Sequence, residues 1–308
     1  MPTENELNTE LLDAELPDVR FDGGEAYLRW LYDENPEGPA LQANGDEDGR
    51  RMAHYALVPQ RYRNAAGPAP LLFSLNAVTR SGSQRKGWWA RLGRDVFAQA
   101  EAAGRRLVIG IPNERSTPGA VKYLDYRYMG PLPVKLVVPT AAGRRFESRE
   151  ATPAFLDSPA YADLVAGIDE HEAVGWVQSW SPEQLRWRLS RPNATYVLHS
   201  SPDLVAVSAL THASRVPVAA IVGLLPKGPL ASEDTISSRG AIAVACRYHR
   251  APLAVYAGFN RHVPVRGAPV PRRLRPAPLN LVCHSFSDEV PQETFVLDTF
   301  EFLDMDAY

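Results

Sequence analysis

Apolar residues in the first half of the chain recur with two different periods. Residues 22–33 carry them at helical spacing, which predicts a short helix. Two strand-like runs between residues 39 and 59 flank the polar turn NGDEDG, which predicts a hairpin. A third apolar run, over residues 70–79, predicts a further strand. The residues expected on the buried face of the helix are Tyr27, Leu28, Trp30 and Leu31.

Residues 87–104 again show helical spacing, and Gly104 is a suitable C-terminal stop. The run RRLVIGIPN that follows is apolar across its middle, as expected of a short strand buried on both faces. Residues 118–129 and 130–139 predict a short helix and a strand. The residues expected to face the core from the helix at 87–104 are Trp88, Leu92, Val96, Phe97 and Ala100.

The second half shows a similar order of patterns. The segment SPEQLRWRL predicts a helix with Ser181 as its N-cap, because Pro182 suits the first helical position and Gln184 follows three residues after the cap. A helical pattern also runs within residues 232–250. The strand-like runs of this half are Thr195–His199, Leu204–Leu210, Val216–Leu225, 252–258, 279–286 and 293–304.

The length of 308 residues and a break in the pattern predict two domains. The segment near 139–152 is polar and without periodicity, so we predict domains at 19–140 and 153–308. Residues 1–18 are acidic and contain no long apolar segment. We expect them to form a mobile acidic tail with at most a short helical turn, and neither a signal peptide nor a membrane span.

Composition narrows the possible functions. Hydrophobic residues make up 45% of the chain and charged residues 22%, which is typical of a globular protein with an ample core. The net charge of −3 gives no reason to expect nucleic acid or a membrane as a partner. Cys246 and Cys283 form no spacing motif, which favours thiols in a reducing cytoplasm. The histidines lack metal-ligand spacing, so we expect no metal.

A basic loop connects the predicted strand at 70–79 to the helix that begins near Gly87. The first turn of a helix presents unpaired N–H groups and the positive end of the helix dipole, which together bind phosphate groups. Arg85 and Lys86 add positive charge beside that turn. The loop therefore predicts a phosphate or pyrophosphate site, although it has neither a GKS/GKT sequence nor a GxGxxG fingerprint. The alternative is a solvated surface loop.

The order of these segments resembles the GNAT N-acyltransferase superfamily. The pyrophosphate loop of that superfamily has the pattern Q/R-x-x-G-x-G/A; Gln84 and Gly87 match it, whereas Trp89 stands where glycine or alanine is expected. The segments YLRWLYDENPEGPA, HYALVP and GIPNERSTPG strengthen the resemblance, which covers the first half of the chain well and the second in outline. It implies an α/β (α+β) fold with a mixed, splayed central sheet flanked by helices, followed by a second, degenerate GNAT-like domain.

The resemblance implies acyl-coenzyme A as the co-substrate, with the second domain shaping the acceptor site or an interface. Asn113 would bind the pantetheine arm or brace the loop, unless it only caps its strand. Regular alternation would place Asn76 on the same face as Ser74 and Val78, in reach of donor or acceptor. The residues expected to hold the donor are Ala77, Val78 and Thr79 for the pantetheine, and Gln84, Arg85, Lys86, Gly87, Trp88 and Trp89 for the pyrophosphate.

Acyl transfer to an amine needs a proton acceptor, a proton donor and N–H groups for the thioester oxygen. The candidate bases are His54 and Glu114, although His54 could instead be a hydrogen-bonded strand residue and Glu114 a solvated loop acid. The tyrosine that usually protonates the thiolate in this superfamily is replaced by Val121. Tyr123 or Tyr126 would take that role, unless both pack in the core.

We therefore expect an acyl-CoA-dependent N-acyltransferase that acts as a monomer or homodimer. Its acceptor would be the primary amine of a small molecule, either an amino sugar nucleotide or a natural-product intermediate, as in the two-domain bacterial enzymes that the chain resembles. One alternative is an aminoacyl- or peptide-forming transferase on a related double fold. Another is a non-catalytic module that binds CoA or a similar ligand, which Trp89 and Val121 favour.

Overall fold

A computed structural model of the chain describes residues 2–16, 24–84, 86–140, 146–213, 215–270 and 279–305. Within these ranges the strands form two mixed sheets with helices packed on their faces. None of the helices in these ranges is both long enough and apolar enough to cross a membrane.

The helices and strands are numbered here in chain order. The helices are α1 (Glu4–Glu15), α2 (Gly24–Tyr32), α3 (Trp88–Ala102), α4 (Thr117–Tyr123), α5 (Pro153–Leu156), α6 (Pro159–Val165), α7 (Pro182–Leu189), α8 (Arg239–Tyr248) and α9 (Phe302–Met305). The strands are β1 (Leu41–Glu47), β2 (Arg50–Asn64), β3 (Gly67–Thr79), β4 (Leu107–Gly110), β5 (Arg127–Pro131), β6 (Val134–Val137), β7 (Glu147–Glu150), β8 (Val177–Gln178), β9 (Tyr196–Ser200), β10 (Leu204–Ala213), β11 (Val216–Pro226), β12 (Leu253–Asn260), β13 (Ala268–Pro269), β14 (Asn280–Ser285) and β15 (Thr299–Glu301).

The first sheet has the strand order β1-β2-β3-β4-β14-β5, and β8 pairs with β2. Only β3 and β4 are parallel neighbours among its described pairs, and α3 connects them. All five residues predicted on the buried face of α3 are buried, and so are the four predicted on α2. The hairpin and the strand at 70–79 are confirmed as β1, β2 and β3.

The second sheet repeats this arrangement with the order β13-β6-β12-β11-β10-β9-β7, and β15 pairs with β12. Here β11 and β12 are the parallel neighbours, and α8 connects them. The helix predicted from SPEQLRWRL is α7, and Ser181 caps it by accepting a hydrogen bond from the Gln184 N–H. Each half of the chain therefore contains a parallel strand pair joined by a helix.

Strands from each half of the chain complete the sheet of the other half, and β8 of the second half also pairs with β2 in the first sheet. β6 precedes the predicted boundary near residue 140 but pairs with β12 in the second sheet. β14 comes from the second half but lies between β4 and β5 in the first sheet. The sheets therefore do not coincide with the predicted ranges 19–140 and 153–308, because each sheet is completed by a strand from beyond the sequence boundary.

Residues 4–15, predicted as part of a mobile tail, form α1 instead. Thr3 and Glu6 make a capping box at its N-terminus. Leu11 and Leu12 are fully buried against α2 and the first sheet, and Asn8 is buried beside them. One buried turn is enough to dock a helix whose remaining surface is acidic, and this short apolar face explains why the prediction was wrong over these residues.

The end of the second half also differs from the prediction of one long strand at 293–304. Only β15 is extended there, and the chain then turns into α9. β11 and β12 pair in parallel over Val218–Ile221 and Leu253–Tyr256, and the two strands then diverge. We call the opening beyond these pairs the second fork. β15 pairs with β12 at Gly258, and Leu303 of α9 packs directly against Gly223 of β11.

The second fork buries two carboxyl groups. Glu301 accepts a hydrogen bond from the Leu224 N–H at 3.0 Å, and Asp304 accepts one from the Glu301 N–H. Burial raises the pKa of Glu301 to about 8 and that of Asp304 to about 7, although the hydrogen bonds act in the opposite direction. Both groups therefore retain a proton in the folded chain at pH values where the unfolded chain has lost it.

Glu301→Gln is expected to remove part of the pH dependence of stability. The folded pKa of Glu301 is raised above its ordinary value of 4.5, so the proton stabilises the fold at low pH and this contribution is lost as pH rises through about 8. As pH rises from 4.5 to about 8, the free energy of unfolding of the parent should fall relative to that of the variant, by up to about 1.4 kcal/mol per pH unit. Urea unfolding at pH 5, 6.5 and 8 would measure this, with the exposed Glu293→Gln as the control. Parallel curves for parent and Glu301→Gln would contradict it.

Candidate functional site

The first sheet opens where β3 leaves β4. The two strands pair in parallel over Leu72–Ser74 and Val108–Gly110, and β3 then continues to Thr79 paired with β2 but without β4. We call this opening the first fork. Residues 71–73 are buried, whereas five of the next six, Ser74 to Ala77 and Thr79, are partly exposed. Alternate N–H and C=O groups of a strand without a neighbour point outward, so this edge of β3 can pair with a ligand.

A β-bulge produces the first fork. On β2, Tyr55 alone faces Asn76 and Ala77, because Ala56 pairs with Leu75 and His54 pairs with Val78. Asn76 has a φ of 53°, a left-handed conformation that few residues other than glycine adopt inside a strand. The bulge bends β3 away from β4. A matching irregularity lies at the second fork. Val207 and Ser208 of β10 pair with Gly223 and Ile221 of β11, so β11 has one extra residue between these pairs.

The bulge also overturns the predicted placement of Asn76. Ser74 Oγ donates to Tyr55 Oη on the side of α3, whereas the Asn76 side chain reaches Tyr32 of α2 on the other side. Asn76 and Val78 share a face as expected, but Ser74 does not share it. The extra residue of a bulge moves every following side chain to the opposite face, and a regular alternation cannot anticipate it.

The loop after β3 ends at the N-terminus of α3, as predicted. Hydrogen bonds from Ser83 N to Arg80 O and from Lys86 N to Ser83 O shape it into two turns. Gly87 is the N-cap of α3 with a φ of 75°, and no described atom lies within 4 Å of where its Cβ would stand. The first amides of a helix have no acceptor within the helix, so Trp88 and Trp89 present backbone donors beside this open space.

Carboxylates already accompany the positive charges of the loop. The Arg80 guanidinium is buried and bonds to Glu10 of α1 at 3.0 Å, and Lys86 bonds to Glu47 at 2.9 Å. Gln84 is exposed. Arg85, predicted to contribute charge, lies outside the described residues. A ligand anion would therefore use the backbone N–H groups and compete with Glu47 for the exposed ammonium of Lys86.

The two tryptophans after Gly87 have different environments. Trp88 is buried over Gly45 of β1, where a larger residue would overlap the indole, and the Arg91 guanidinium lies 3.9 Å above its ring centre. Trp89 is partly exposed and stacks on Tyr55, with ring centres 6.1 Å apart. Its far edge lies near Gly119 of α4. Trp89 therefore fills the wedge between β2, α3 and α4 beside the first fork.

Three hydroxyl groups meet at the base of the first fork. Ser74, the last residue of β3 that pairs with β4, donates to Tyr55 Oη at 3.1 Å, and Tyr55 Oη lies 3.2 Å from Tyr126 Oη. Burial raises the pKa of both phenols, so they remain protonated. Tyr123 points elsewhere: it is 52% exposed, with Lys122 over its ring. The sequence pattern suggested Tyr123 and Tyr126 equally as proton donors, and only the fold distinguishes them. No sequence pattern pointed to Tyr55.

His54 is enclosed by hydrogen-bonding partners. Its imidazole is 1% exposed, with Nε2 at 2.9 Å from Tyr32 Oη and Nδ1 at 2.7 Å from Asn44 Oδ1. Burial, followed by the charge of Arg51, lowers the pKa of His54 to about 3. Both nitrogens are occupied and the ring is neutral. This geometry favours the structural alternative for His54 and argues against a general base.

Asn113 and Glu114 follow β4 at the opposite side of the first fork. Asn113 Oδ1 accepts hydrogen bonds from the N–H groups of Arg115 and Ser116, and the Asn113 backbone bridges to Leu279. These bonds hold the turn after β4, and a contact of Asn113 with the pantetheine arm stays a prediction. Glu114 is exposed next to it.

The remaining candidate sites lie away from the loop. Two cavities of about 420 and 250 Å³ lie between the sheets, both lined by Phe295 and Val296, and neither is lined by residues 76–89. Among the described residues, no group of three or more metal-binding side chains is placed to hold an ion. Cys246 and Cys283 are buried and free.

Comparison with known proteins bears on the fold. No protein-family model matches the sequence, and no curated protein matches it. A probable N-acyltransferase from Enterococcus faecalis V583 has a TM-score of 0.60 and 9% identity, with 92% of this chain and 70% of that chain covered. A GCN5-related N-acetyltransferase from Anabaena variabilis gives 0.58 and 9%, with 93% and 71% covered. Saccharomyces cerevisiae N-myristoyltransferase with bound myristoyl-CoA gives 0.53 and 8%, with 90% and 79% covered.

Each of these likenesses covers at least 90% of this chain and so includes both sheets. At 8–9% identity they concern the course of the backbone and not the residues of a site. With the two forked sheets described above, they show that this chain has a double GNAT-like fold, the second copy of which is degenerate because its fork is filled by β15 and α9.

Proposed function

We propose that this protein is an enzyme that transfers an acyl group from acyl-coenzyme A to the primary amine of a small acceptor. The observation that carries the proposal is the first fork, where a freed strand edge leads through a glycine-bearing loop into the N-terminus of a 15-residue helix. Coenzyme A has an extended arm with two amides and a pyrophosphate. A strand edge suits the amides, and a helix N-terminus suits the pyrophosphate.

The donor would lie along β3 and across the loop. Ala77, Val78 and Thr79 would pair with the pantetheine through their backbone, since the side chain of Val78 is buried. The amides of residues 84–89 would bind the pyrophosphate, with Lys86 released from Glu47. The fold neighbour from yeast holds myristoyl-CoA, which supports an acyl-CoA as the donor.

The reaction would proceed by direct attack of the amine nitrogen on the thioester carbonyl. The C–N bond forms as the C–S bond breaks, and the sulfur leaves as a thiolate that takes a proton. N–H groups of the bulge would stabilise the oxygen while it carries charge. Tyr126, hydrogen-bonded through Tyr55, is the better placed proton donor, and Glu114 is the better exposed base. Alignment of the two substrates supplies much of the acceleration.

The acceptor, the oligomeric state and the compartment are also part of the proposed function. We propose an amino sugar nucleotide or a natural-product intermediate as the acceptor, and a monomer or homodimer in the cytoplasm. A screen of acyl-CoAs against amines, with release of free thiol as the signal, tests the activity. Amine-dependent thiol release supports the enzyme, and a protein that binds CoA but releases no thiol with any pair contradicts it.

A non-catalytic module that binds CoA is the second candidate. Trp89 favours it, because its indole fills the wedge beside the first fork where a small residue is expected. The exposed Val121 in place of the usual tyrosine also favours it. The same screen separates the two functions, because a module of this kind binds CoA without amine-dependent release of thiol.

Gly87→Asp is expected to lower the affinity for CoA at least tenfold. The substitution places a carboxylate in the open space beside the first amides of α3, where it repels the pyrophosphate and occupies its donors. Gly104→Asp is the matched control: Gly104 also has a positive φ, of 67°, and open space around it, but it follows the other end of α3. Calorimetry with CoA measures both. Equal affinity in Gly87→Asp and the parent would refute the placement of the pyrophosphate.

The full chain is expected to bind one CoA. Glu301 already accepts from the Leu224 N–H in the second fork, and Leu303 packs against Gly223, so the second copy of the fold has no free edge there. Calorimetry of the parent should therefore give a stoichiometry near one. A stoichiometry of two would show that β15 and α9 leave the second fork when the donor binds.

Tyr126→Phe is expected to lower kcat more than Tyr123→Phe does. Removing a proton donor to a leaving group costs about 10²-fold or more in rate, whereas the exposed Tyr123 can lose its hydroxyl at little cost. Steady-state rates with a poor and a good thiol leaving group would measure this, because only the loss of a proton donor affects the poor one more. The reverse order of the two variants would restore Tyr123 as the donor.

A further inference from the structure

A chain of hydrogen bonds connects the bulge of β3 to α1. Asn76 Nδ2 donates to Tyr32 Oη at 2.8 Å, and Tyr32 Oη lies 2.9 Å from His54 Nε2. His54 Nδ1 lies 2.7 Å from Asn44 Oδ1, and Asn44 Nδ2 donates to Glu4 Oε2 at 2.9 Å. The chain therefore joins β3, α2, β2, β1 and α1 through side chains alone.

The donors fix the direction of these bonds. The Asn76 amide donates to the Tyr32 oxygen, so the single hydroxyl proton of Tyr32 is directed to His54 Nε2. His54 then carries its own proton on Nδ1 and donates it to Asn44 Oδ1. Tyr32 is fully buried, and burial raises the pKa of its hydroxyl. All side chains from Asn76 to Asn44 in this series of hydrogen bonds are thus neutral, and each has a hydrogen-bond partner.

The bulge needs such an anchor. A left-handed φ is unfavourable for a residue with a side chain, although asparagine tolerates it better than most. Without a fixed side chain, the Asn76 backbone could leave the left-handed conformation and change the direction in which the neighbouring N–H groups point. The Tyr32 hydroxyl sits on the last residue of a packed helix and holds the Asn76 amide in place.

We propose that Tyr32 and His54 are positioning residues, which hold Asn76 in its left-handed conformation and thereby aim the N–H groups at the edge of the first fork toward the donor. The effect on the donor rests on the proposed function, whereas the effect on the backbone does not. Neither side chain touches the reacting atoms. His54 accepts a hydrogen bond from the Tyr32 hydroxyl, and the Tyr32 oxygen accepts one from the Asn76 amide.

A double-mutant cycle tests the coupling. Tyr32→Phe should lower kcat about tenfold, with the KM of the amine within a factor of two. Asn76→Gly keeps the left-handed backbone accessible but removes the anchored amide, so Tyr32→Phe should have no further effect in that background. Tyr62→Phe is the matched control, because Tyr62 is equally buried on β2 and its hydroxyl has no hydrogen-bond partner among the described residues. Equal effects of Tyr32→Phe in both backgrounds would overturn the proposal.

Amide hydrogen exchange gives a readout that is independent of acyl transfer. Tyr32→Phe should accelerate exchange at residues 76–79 at least tenfold and leave residues 205–209 of β10 unchanged. Unchanged exchange at 76–79 would overturn the proposal even if activity falls. Faster exchange in a protein that binds no CoA would retain the anchor and refute the proposed function instead.

His54→Asn separates positioning from base catalysis. A positioning role predicts a lower kcat with the acidic limb of the pH–rate profile in its parental place, since the neutral imidazole takes no proton from the amine. A profile that loses this limb only in His54→Asn would assign the base to His54 and overturn its positioning role.

Discussion

The separation of β3 from β4 after three residue pairs is the constraint on which the first half of the structure depends. The strands can part because Asn76 and Ala77 together face a single residue of β2, which bends β3 outward. The bend leaves backbone groups without a partner strand and directs the chain into the loop and α3. Such groups are left to water or to a bound partner, and their partial exposure keeps this edge accessible.

The second fork shows what happens to the same topology when the chain supplies the partner. Glu301 accepts the Leu224 N–H, Asn260 donates to the Leu224 carbonyl at 2.8 Å, and Leu303 fills the space over Gly223. Both backbone groups of Leu224 are therefore satisfied within the chain. The cost is the burial of a carboxyl group that must keep its proton. The second fork is thus closed by the chain itself, whereas the first fork stays open, and each sheet contains a strand from the other half of the chain.

Local patterns predicted much of this fold. The buried faces of α2 and α3, the β1–β2 hairpin and the Ser181 cap all follow from spacing within a few residues. What the sequence could not predict depends on distant partners: the docking of α1, the exchange of β6 and β14, and the insertion of β15 and α9. The site divides in the same way. The loop and its helix could be predicted from the sequence. The face of Asn76 depends on a one-residue bulge, and the enclosure of His54 depends on how α2 and β1 pack around it.

Trp89 does not match the last position of the loop pattern, and this mismatch has to be judged by the chemical groups that the loop provides. Small residues at this position leave room, but the anion donors of such a loop are backbone N–H groups, which every residue except proline has. The indole of Trp89 turns onto Tyr55, and Gly119 of α4 gives it space, while the surroundings of Gly87 stay open. The substitution therefore changes the shape of the wedge beside the first fork and leaves the donors of the loop in place.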